Sequence, residues 1–274
     1  MKVENHRLVL DNGEPVRFEA TPNQGGALKP RFLVMHYTAG RDAESSIRWL
    51  TRPDARASAH LVIGRDGAVT QLVPFDRVAW HAGPSRWDGV RGLNQHSIGI
   101  ELDNAGLLER KGDRWRAWFG NAYPEEEVME ARHRHGDRVC GWHIFTPEQL
   151  DVALEASRVI IQAYGISELL GHDDISPGRK LDPGPAFPMA PFRAKLFGRA
   201  EDEAPTYATT VNLNIRRGPG THHERLEVGP LPQGTLLEVL REDGSWRLVN
   251  VRGEVQGQRD VQGWVHGDYI RRSD

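Results

Sequence analysis

His36 closes the apolar run Phe32-Leu33-Val34-Met35, and far along the chain a second cluster reads Gly171-His172-Asp173-Asp174-Ile175-Ser176-Pro177-Gly178-Arg179-Lys180-Leu181-Asp182-Pro183-Gly184. Together they offer two imidazoles and one carboxylate, the number and kind of protein ligands that a catalytic zinc takes while its fourth position stays open to water. A zinc ion so held makes water a nucleophile near neutral pH and polarises an amide carbonyl. The chemistry is that of a zinc hydrolase with one Zn2+ per chain. The spacing does not match a helical His-Glu-x-x-His arrangement, so the ligands must come from separate elements: His36 at a strand end, His172 after a long helix, and Asp182 in a loop rich in proline and glycine. For any one histidine alone a structural role is the commoner outcome. The joint pattern is what favours a metal.

The elements that must position these groups are short strands and two helices. Residues 32–35 form an apolar run into His36, and Ala59-His60-Leu61-Val62-Ile63 enters a tight turn at Gly64-Arg65-Asp66-Gly67, from which residues 68–73 return as the second arm of a hairpin. Ser97-Ile98-Gly99-Ile100-Glu101-Leu102 is apolar on both faces for most of its length, which places it centrally in a sheet. Residues 43–50 are a candidate short helix. A longer one begins at Thr146-Pro147-Glu148-Gln149, with Thr146 as N-cap, Pro147 at the first helical position and Gln149 completing a capping box, and it stops at Gly165. The expected fold is α/β, a mixed central sheet flanked by helices.

Between this central strand and the long helix, residues 103–145 are far longer than the connections of roughly 4–6 residues usual in compact domains, and they set Trp115, Trp118, Tyr123 and Trp142 among charges. Such an insertion is either plain surface or a lid or groove wall presenting aromatic faces to a sugar or peptide. The pairs His133/His135 and His222/His223 read as solvent-facing loop residues in preference to a second metal site.

With 274 residues, a formal net charge of −3 and 38% hydrophobic residues, the chain is globular and long enough for two domains. That charge leaves no basic footprint, which argues against nucleic acid as a partner. No apolar run of about 18 residues is present to enter a membrane, and the start has no apolar core of a secretory signal. The lone Cys140 excludes an internal disulfide framework.

Several segments, in order, carry a specific resemblance. Val34-Met35-His36-Tyr37-Thr38-Ala39, Ser58-Ala59-His60-Leu61-Val62-Ile63, Trp80-His81-Ala82-Gly83, Asn94 with Ser97-Ile98-Gly99-Ile100-Glu101, and the run from Gly171-His172 through Pro183-Gly184 resemble the type 2 N-acetylmuramoyl-L-alanine amidases, an AmpD-like group related to the peptidoglycan recognition proteins. The resemblance covers residues 31–197. It implies that His36, His172 and Asp182 hold zinc, that Glu101 is the acid/base group and that Lys180 is the oxyanion partner. It places His81 and Asn94 as possible substrate-side groups, with a second-shell role for His81 the other option. His60 reads as a buried, hydrogen-bonded strand residue. The implied reaction is hydrolysis of the amide between the lactyl group of N-acetylmuramic acid and the L-alanine of the stem peptide, with peptidoglycan or muropeptide fragments as partners. A non-catalytic muropeptide-binding protein of the same fold is the alternative; it would need none of the five chemical groups.

The character of the chain changes near residue 200. Residues 200–205 are acidic and proline-ended, a candidate linker between an amidase domain (1–199) and a second domain (206–274). Strand-like stretches follow at 211–215, 235–240, 246–251 and 263–265, separated by turn signals. Thr210 to Thr221, with its arginines before Gly218-Pro219-Gly220, and Gly263-Trp264-Val265-His266-Gly267-Asp268-Tyr269-Ile270 resemble a small bacterial SH3-like barrel, with residues 254–261 as a departure from that pattern. In cell-wall enzymes such modules resemble targeting domains. The lack of a signal segment implies a cytoplasmic location as synthesised, whereas a wall-directed module implies that the enzyme reaches the wall by signal-independent export or lysis.

Overall fold

The strand Phe32–Tyr37, five of whose six residues are buried, is the axis on which the first unit is built. A computed structural model describes residues 1–197, 206–258 and 261–273. The chain divides into two units, Met1–Phe197 and Gly198–Asp274. The acidic segment 200–205 lies outside the described residues.

In the first unit six strands form one mixed sheet in the order Glu168–Gly171, Phe32–Tyr37, Ser97–Leu102, Leu61–Ile63, Val69–Gln71 and Arg17–Phe18. The first four run parallel to one another. Leu61–Ile63 and Val69–Gln71 are the antiparallel arms of the expected hairpin, closed by the Gly64 amide donating to the Ala68 carbonyl at 2.9 Å. Ser97–Leu102 is central, and its register sets Glu101 opposite His36 on the neighbouring parallel strand. Leu33, Met35, Ile98, Ile100, Leu61 and Ile63, all fully buried, pack with Ala153, Ala156 and Ile160 of the long helix into one core.

That helix spans Pro147–Tyr164; the Thr146 hydroxyl accepts from the Gln149 amide, and Gly165 ends it in the left-handed conformation at φ 63°. Gln149 corrects the expected capping box. Its side chain is completely buried and donates to the carbonyls of Ile63 (2.9 Å) and Asp103 (3.0 Å), so it fastens the helix to two strand ends instead of turning back on the helix.

Residues 103–145 build a sheet of their own: Ala122–Tyr123, Arg114–Arg116, Leu107–Lys111, Val139–His143 and Val128–Arg132, in that order and antiparallel throughout. Trp115 and Trp142 are buried in it, whereas Trp118 is 79% exposed. No described helix is long and apolar enough to cross a membrane.

The second unit is a five-stranded antiparallel sheet, ordered Gln262–His266, Trp246–Val251, Leu236–Asp243, Thr206–Thr209 and Ile270–Arg272. Residues 211–215 are not a strand, contrary to expectation. Leu213 makes a single bridge to Leu231 and Arg216 bridges to Trp264, while Leu213 and Ile215 turn into a core with Leu237, Val249 and Val265. The apolar alternation there serves burial without a ladder.

Candidate metal centre

His36, His172 and Asp182 come together although 146 positions separate the first from the last. His36 Nδ1 stands 3.0 Å from His172 Nδ1 and 2.8 Å from Asp182 Oδ2, and His172 Nδ1 stands 2.9 Å from the same oxygen. All three residues are buried. The carboxyl group of Asp182 is held well below the usual carboxylate range: burial opposes ionisation, but the His172 and His36 rings set against its Oδ2 outweigh it. The His36 imidazole is pushed down to about 4, chiefly by burial and then by His172, so it is neutral at pH 7.

The outer ring nitrogens reveal where the protons lie. His172 Nε2 is 3.1 Å from the Ala82 carbonyl, which only accepts, and 3.3 Å from Arg179 Nη2, which only donates; the shorter contact assigns the proton to Nε2 and leaves a lone pair on Nδ1. His81 Nε2 faces Ser97 (3.4 Å to the carbonyl, 3.3 Å to Oγ), while its Nδ1 lies 3.0 Å from His36 Nε2. With His81 donating to Ser97, its Nδ1 accepts the proton of His36 Nε2, and His36 Nδ1 also points a lone pair inward. Two imidazole lone pairs and a carboxylate oxygen therefore converge with no proton to share. Tetrahedral ligands at zinc bond lengths stand roughly 3.3 Å apart, close to the 2.8–3.0 Å seen among these atoms. The donor set fits a zinc ion.

The structure places both candidate substrate-side groups, His81 and Asn94, against the ligand segments. His81 is 8% exposed and lies behind His36. Asn94 Oδ1 accepts from the amides of His81 (3.0 Å) and Ala82 (2.7 Å), fixing the turn whose Ala82 carbonyl orients His172. Gly99 belongs to the same packing: a Cβ there would lie 2.4 Å from His81 Cγ. His60 is fully buried with both nitrogens used, Nε2 donating to the Arg77 carbonyl and Nδ1 accepting from the Gly99 amide.

Arg179 was not singled out from the sequence. Its Nη2 donates to the carbonyls of Ala82 (2.8 Å) and Pro84 (3.0 Å) and to Ser176 Oγ (2.7 Å), closing the ligand loop onto the same turn. Its place inside the run of residues 171–184 was the available signal, but a loop arginine beside Lys180 reads equally well as solvated.

Glu101 Oε2 is buried without a hydrogen-bond partner, although the residue as a whole is half-buried. Burial, and then the Asp182 carboxylate, push its carboxyl group up to about 8, with Lys180 opposing. A buried acceptor without a donor is costly. Lys180 is partly exposed, near enough for its charge to act on both Glu101 and His36. Glu101 also lines a cavity of about 710 Å³, walled by Thr38, Ala39, Arg41, Trp49, Trp118 and Phe119. Trp118 is pinned there by its Nε1 donating to the Ala39 carbonyl at 2.8 Å. The inserted sheet thus supplies part of a groove wall.

A sequence profile of N-acetylmuramoyl-L-alanine amidases matches residues 26–185, more than half of the chain. The chain belongs to this family. It is 32% identical over 236 residues to the N-acetylmuramoyl-L-alanine amidase AmiD of Escherichia coli (strain K12), a match that covers 82% of this chain and 70% of that protein. The 1,6-anhydro-N-acetylmuramyl-L-alanine amidase AmpD of the same organism is 35% identical over 140 residues, 50% of this chain and 57% of that protein. A crystal structure of a selenomethionine AmpD derivative superposes with a TM-score of 0.51 at 26% identity, covering 72% of this chain and 99% of that one. The amidase thus has the mixed α/β fold of this group.

Proposed function

We propose that this amidase hydrolyses the amide between the lactyl carbonyl of N-acetylmuramic acid and the amine of L-alanine, in peptidoglycan or in muropeptide fragments, with His36, His172 and Asp182 holding one zinc ion. The observation that carries the reading is the convergence of three metal-type donors beside a buried carboxylate that has no partner of its own. Zinc, when bound, supplies Lewis acidity toward the carbonyl and makes water a nucleophile near neutral pH.

Glu101 takes the proton of the attacking water as its oxygen adds to the lactyl carbonyl carbon. It then delivers that proton to the alanine nitrogen as the carbon–nitrogen bond breaks, and the new lactyl carboxyl group gives up its own proton to the departing amine, leaving a carboxylate and an ammonium. In the metal-free chain burial raises this carboxyl group to about 8, toward the neutral range in which one group serves as base and then acid. The Lys180 ammonium stabilises the oxyanion of the tetrahedral intermediate. His81, Asn94 and Arg179 hold the ligands and touch no substrate. The cavity beside Glu101 receives the substrate, with Trp49, Trp118 and Phe119 against its apolar faces.

For the second unit we propose a small SH3-like barrel that tethers the enzyme to the wall polymer, which raises the local concentration of cleavable bonds. Its five antiparallel strands around Leu237, Val249 and Val265 support that reading. The test is cleavage of a defined muropeptide and of intact sacculi by the full chain and by a chain ending at Phe197. Products with a new alanine amine, abolished by a chelator and restored by zinc, are expected from both chains, and loss confined to sacculi from the shorter one. Cleavage elsewhere, or indifference to the chelator, overturns the amidase reading; equal attack on sacculi overturns the tether.

A further inference from the structure

The pair His133 and His135 lies on the segment following the inserted strand Val128–Arg132, and its surroundings are not those of a solvated loop. His133 is 5% exposed. Its Nδ1 accepts the His135 amide at 3.1 Å, so the proton is on Nε2, which donates to Asp173 Oδ2 at 3.0 Å. Both nitrogens are used, which leaves none for a metal. Arg134 donates to Asp173 Oδ1 at 2.5 Å and pairs with Asp174 Oδ1 at 2.7 Å. His135 Nε2 donates to the Asp173 carbonyl at 3.1 Å. Three consecutive side chains thus close on the two residues that directly follow His172, His133 and Arg134 on their carboxylates and His135 on the Asp173 backbone.

Asp173 in turn connects the two ligand segments, its amide donating to the Asp182 carbonyl at 2.8 Å. Asp174 accepts from the Gly171 amide at 2.7 Å and from Arg193 at 3.0 Å. The inserted sheet makes a second, apolar contact on the far side of Asp182. Trp142, 2% exposed, lies against Gly184, where a Cβ would stand 2.8 Å from the indole ring. Trp142 is itself fixed by its Nε1 donating to the Ala131 carbonyl at 3.0 Å, with its ring 5.6 Å from that of His133.

We propose that residues 103–145 brace the metal ligands: His133, Arg134 and His135 grip Asp173 and Asp174, Trp142 packs on Gly184, and together they fix His172 and Asp182 for zinc without touching it. This rests on the zinc reading of His36, His172 and Asp182. The physical need is plain. Asp173, Asp174 and Asp182 place three carboxylates within one buried loop, and a buried charge left without its partner is strongly destabilising. The Arg134 fork, with one arm on each carboxylate, fixes the direction of both, and together with Arg193 on Asp174 it offsets their two charges.

The test is zinc affinity by chelator competition on the full chain, with melting of the metal-free protein recorded alongside. Arg134→Lys keeps the charge but loses the fork; zinc binding should weaken about 10-fold or more, the usual cost of losing a group that orients a ligand, while turnover recovers at saturating zinc. Trp115→Phe, in the core of the same sheet but without contact to Asp173 or Asp174, should lower melting while leaving zinc affinity within about twofold, since ligand orientation and general stability are separate. His133→Asn should weaken zinc binding in the same direction, and serves if Arg134→Lys does not fold. Unchanged affinity in Arg134→Lys or His133→Asn, or equal weakening in Trp115→Phe, overturns the brace. A wild-type chain that binds no zinc overturns the metal reading together with the brace, an outcome distinct from the other two.

Discussion

Gly99→Ala is a one-carbon change that should disturb the metal centre through two intervening rings. A Cβ at this position would lie 2.4 Å from His81 Cγ, 2.5 Å from Nδ1 and 2.8 Å from Cδ2. Ordinary contact begins near 3.4 Å, so the ring must retreat by about 1 Å, in a core packed too densely to absorb the shift freely. Overpacking of this kind costs about 1–3 kcal/mol, which for a unit of this size lowers melting by about 2–4 °C per kcal/mol. The shift also acts on function, because His81 Nδ1 is the acceptor, at 3.0 Å, for the His36 proton. Displaced, it no longer holds His36 in the tautomer that offers Nδ1, and zinc affinity should fall about 10–100-fold. Thermal melting and chelator competition measure the two effects separately. Gly26→Ala, where a Cβ would meet nothing within 4 Å, is the control. If Gly99→Ala matches that control in both melting and zinc affinity, the wiring from Ser97 through His81 to His36 is wrong.

Lys180→Met should retain zinc and bind substrate with little change in KM while kcat falls about 10²–10³-fold, the cost of removing one oxyanion donor; steady-state kinetics on a muropeptide checks this. Gln149→Leu leaves the Asp103 carbonyl without its side-chain donor and the Ile63 carbonyl with only the Asp103 amide, and should cost about 1–3 kcal/mol by urea unfolding, with zinc affinity unaltered. A pH effect follows from Glu101, whose carboxyl group is raised from 4.5 to about 8 in the folded, metal-free chain by burial and then Asp182. The folded state therefore holds a proton that the unfolded state releases, and this contribution to stability is full below pH 4.5 and lost as pH rises through about 8. Metal-free Glu101→Gln should accordingly gain stability relative to wild type across that window and level off above it, in urea unfolding at a series of pH values; a flat difference would refute the assignment.

Much of the sheet was legible because its signals are local. The apolar run into His36, the turn glycines Gly64 and Gly67, the central strand carrying Glu101, and Thr146 with Gly165 at the ends of the long helix each depend on neighbours within a few residues. The chemistry of the metal centre was legible from residue types within a recognisable order of motifs. What escaped was tertiary. Arg-His-Arg-His-Gly-Asp at residues 132–137 has the composition of a solvated loop, and nothing nearby indicates that His133 is buried against Asp173, 40 positions away. His81 and Asn94 sit within a motif, but only the fold shows that one contacts His36 and the other the amides of His81 and Ala82. Residues 211–215 alternate like a strand, and Leu213 and Ile215 are buried while Val211 is exposed, yet their backbone finds only isolated bridges.

The most direct test of the central claim is the zinc content and turnover of Glu101→Gln beside wild type and His172→Ala. One zinc per chain is expected in wild type and in Glu101→Gln, with muropeptide cleavage by Glu101→Gln reduced about 10²–10⁴-fold, and His172→Ala should lose the metal. Near-normal cleavage by Glu101→Gln, or full zinc retention by His172→Ala, would contradict the account.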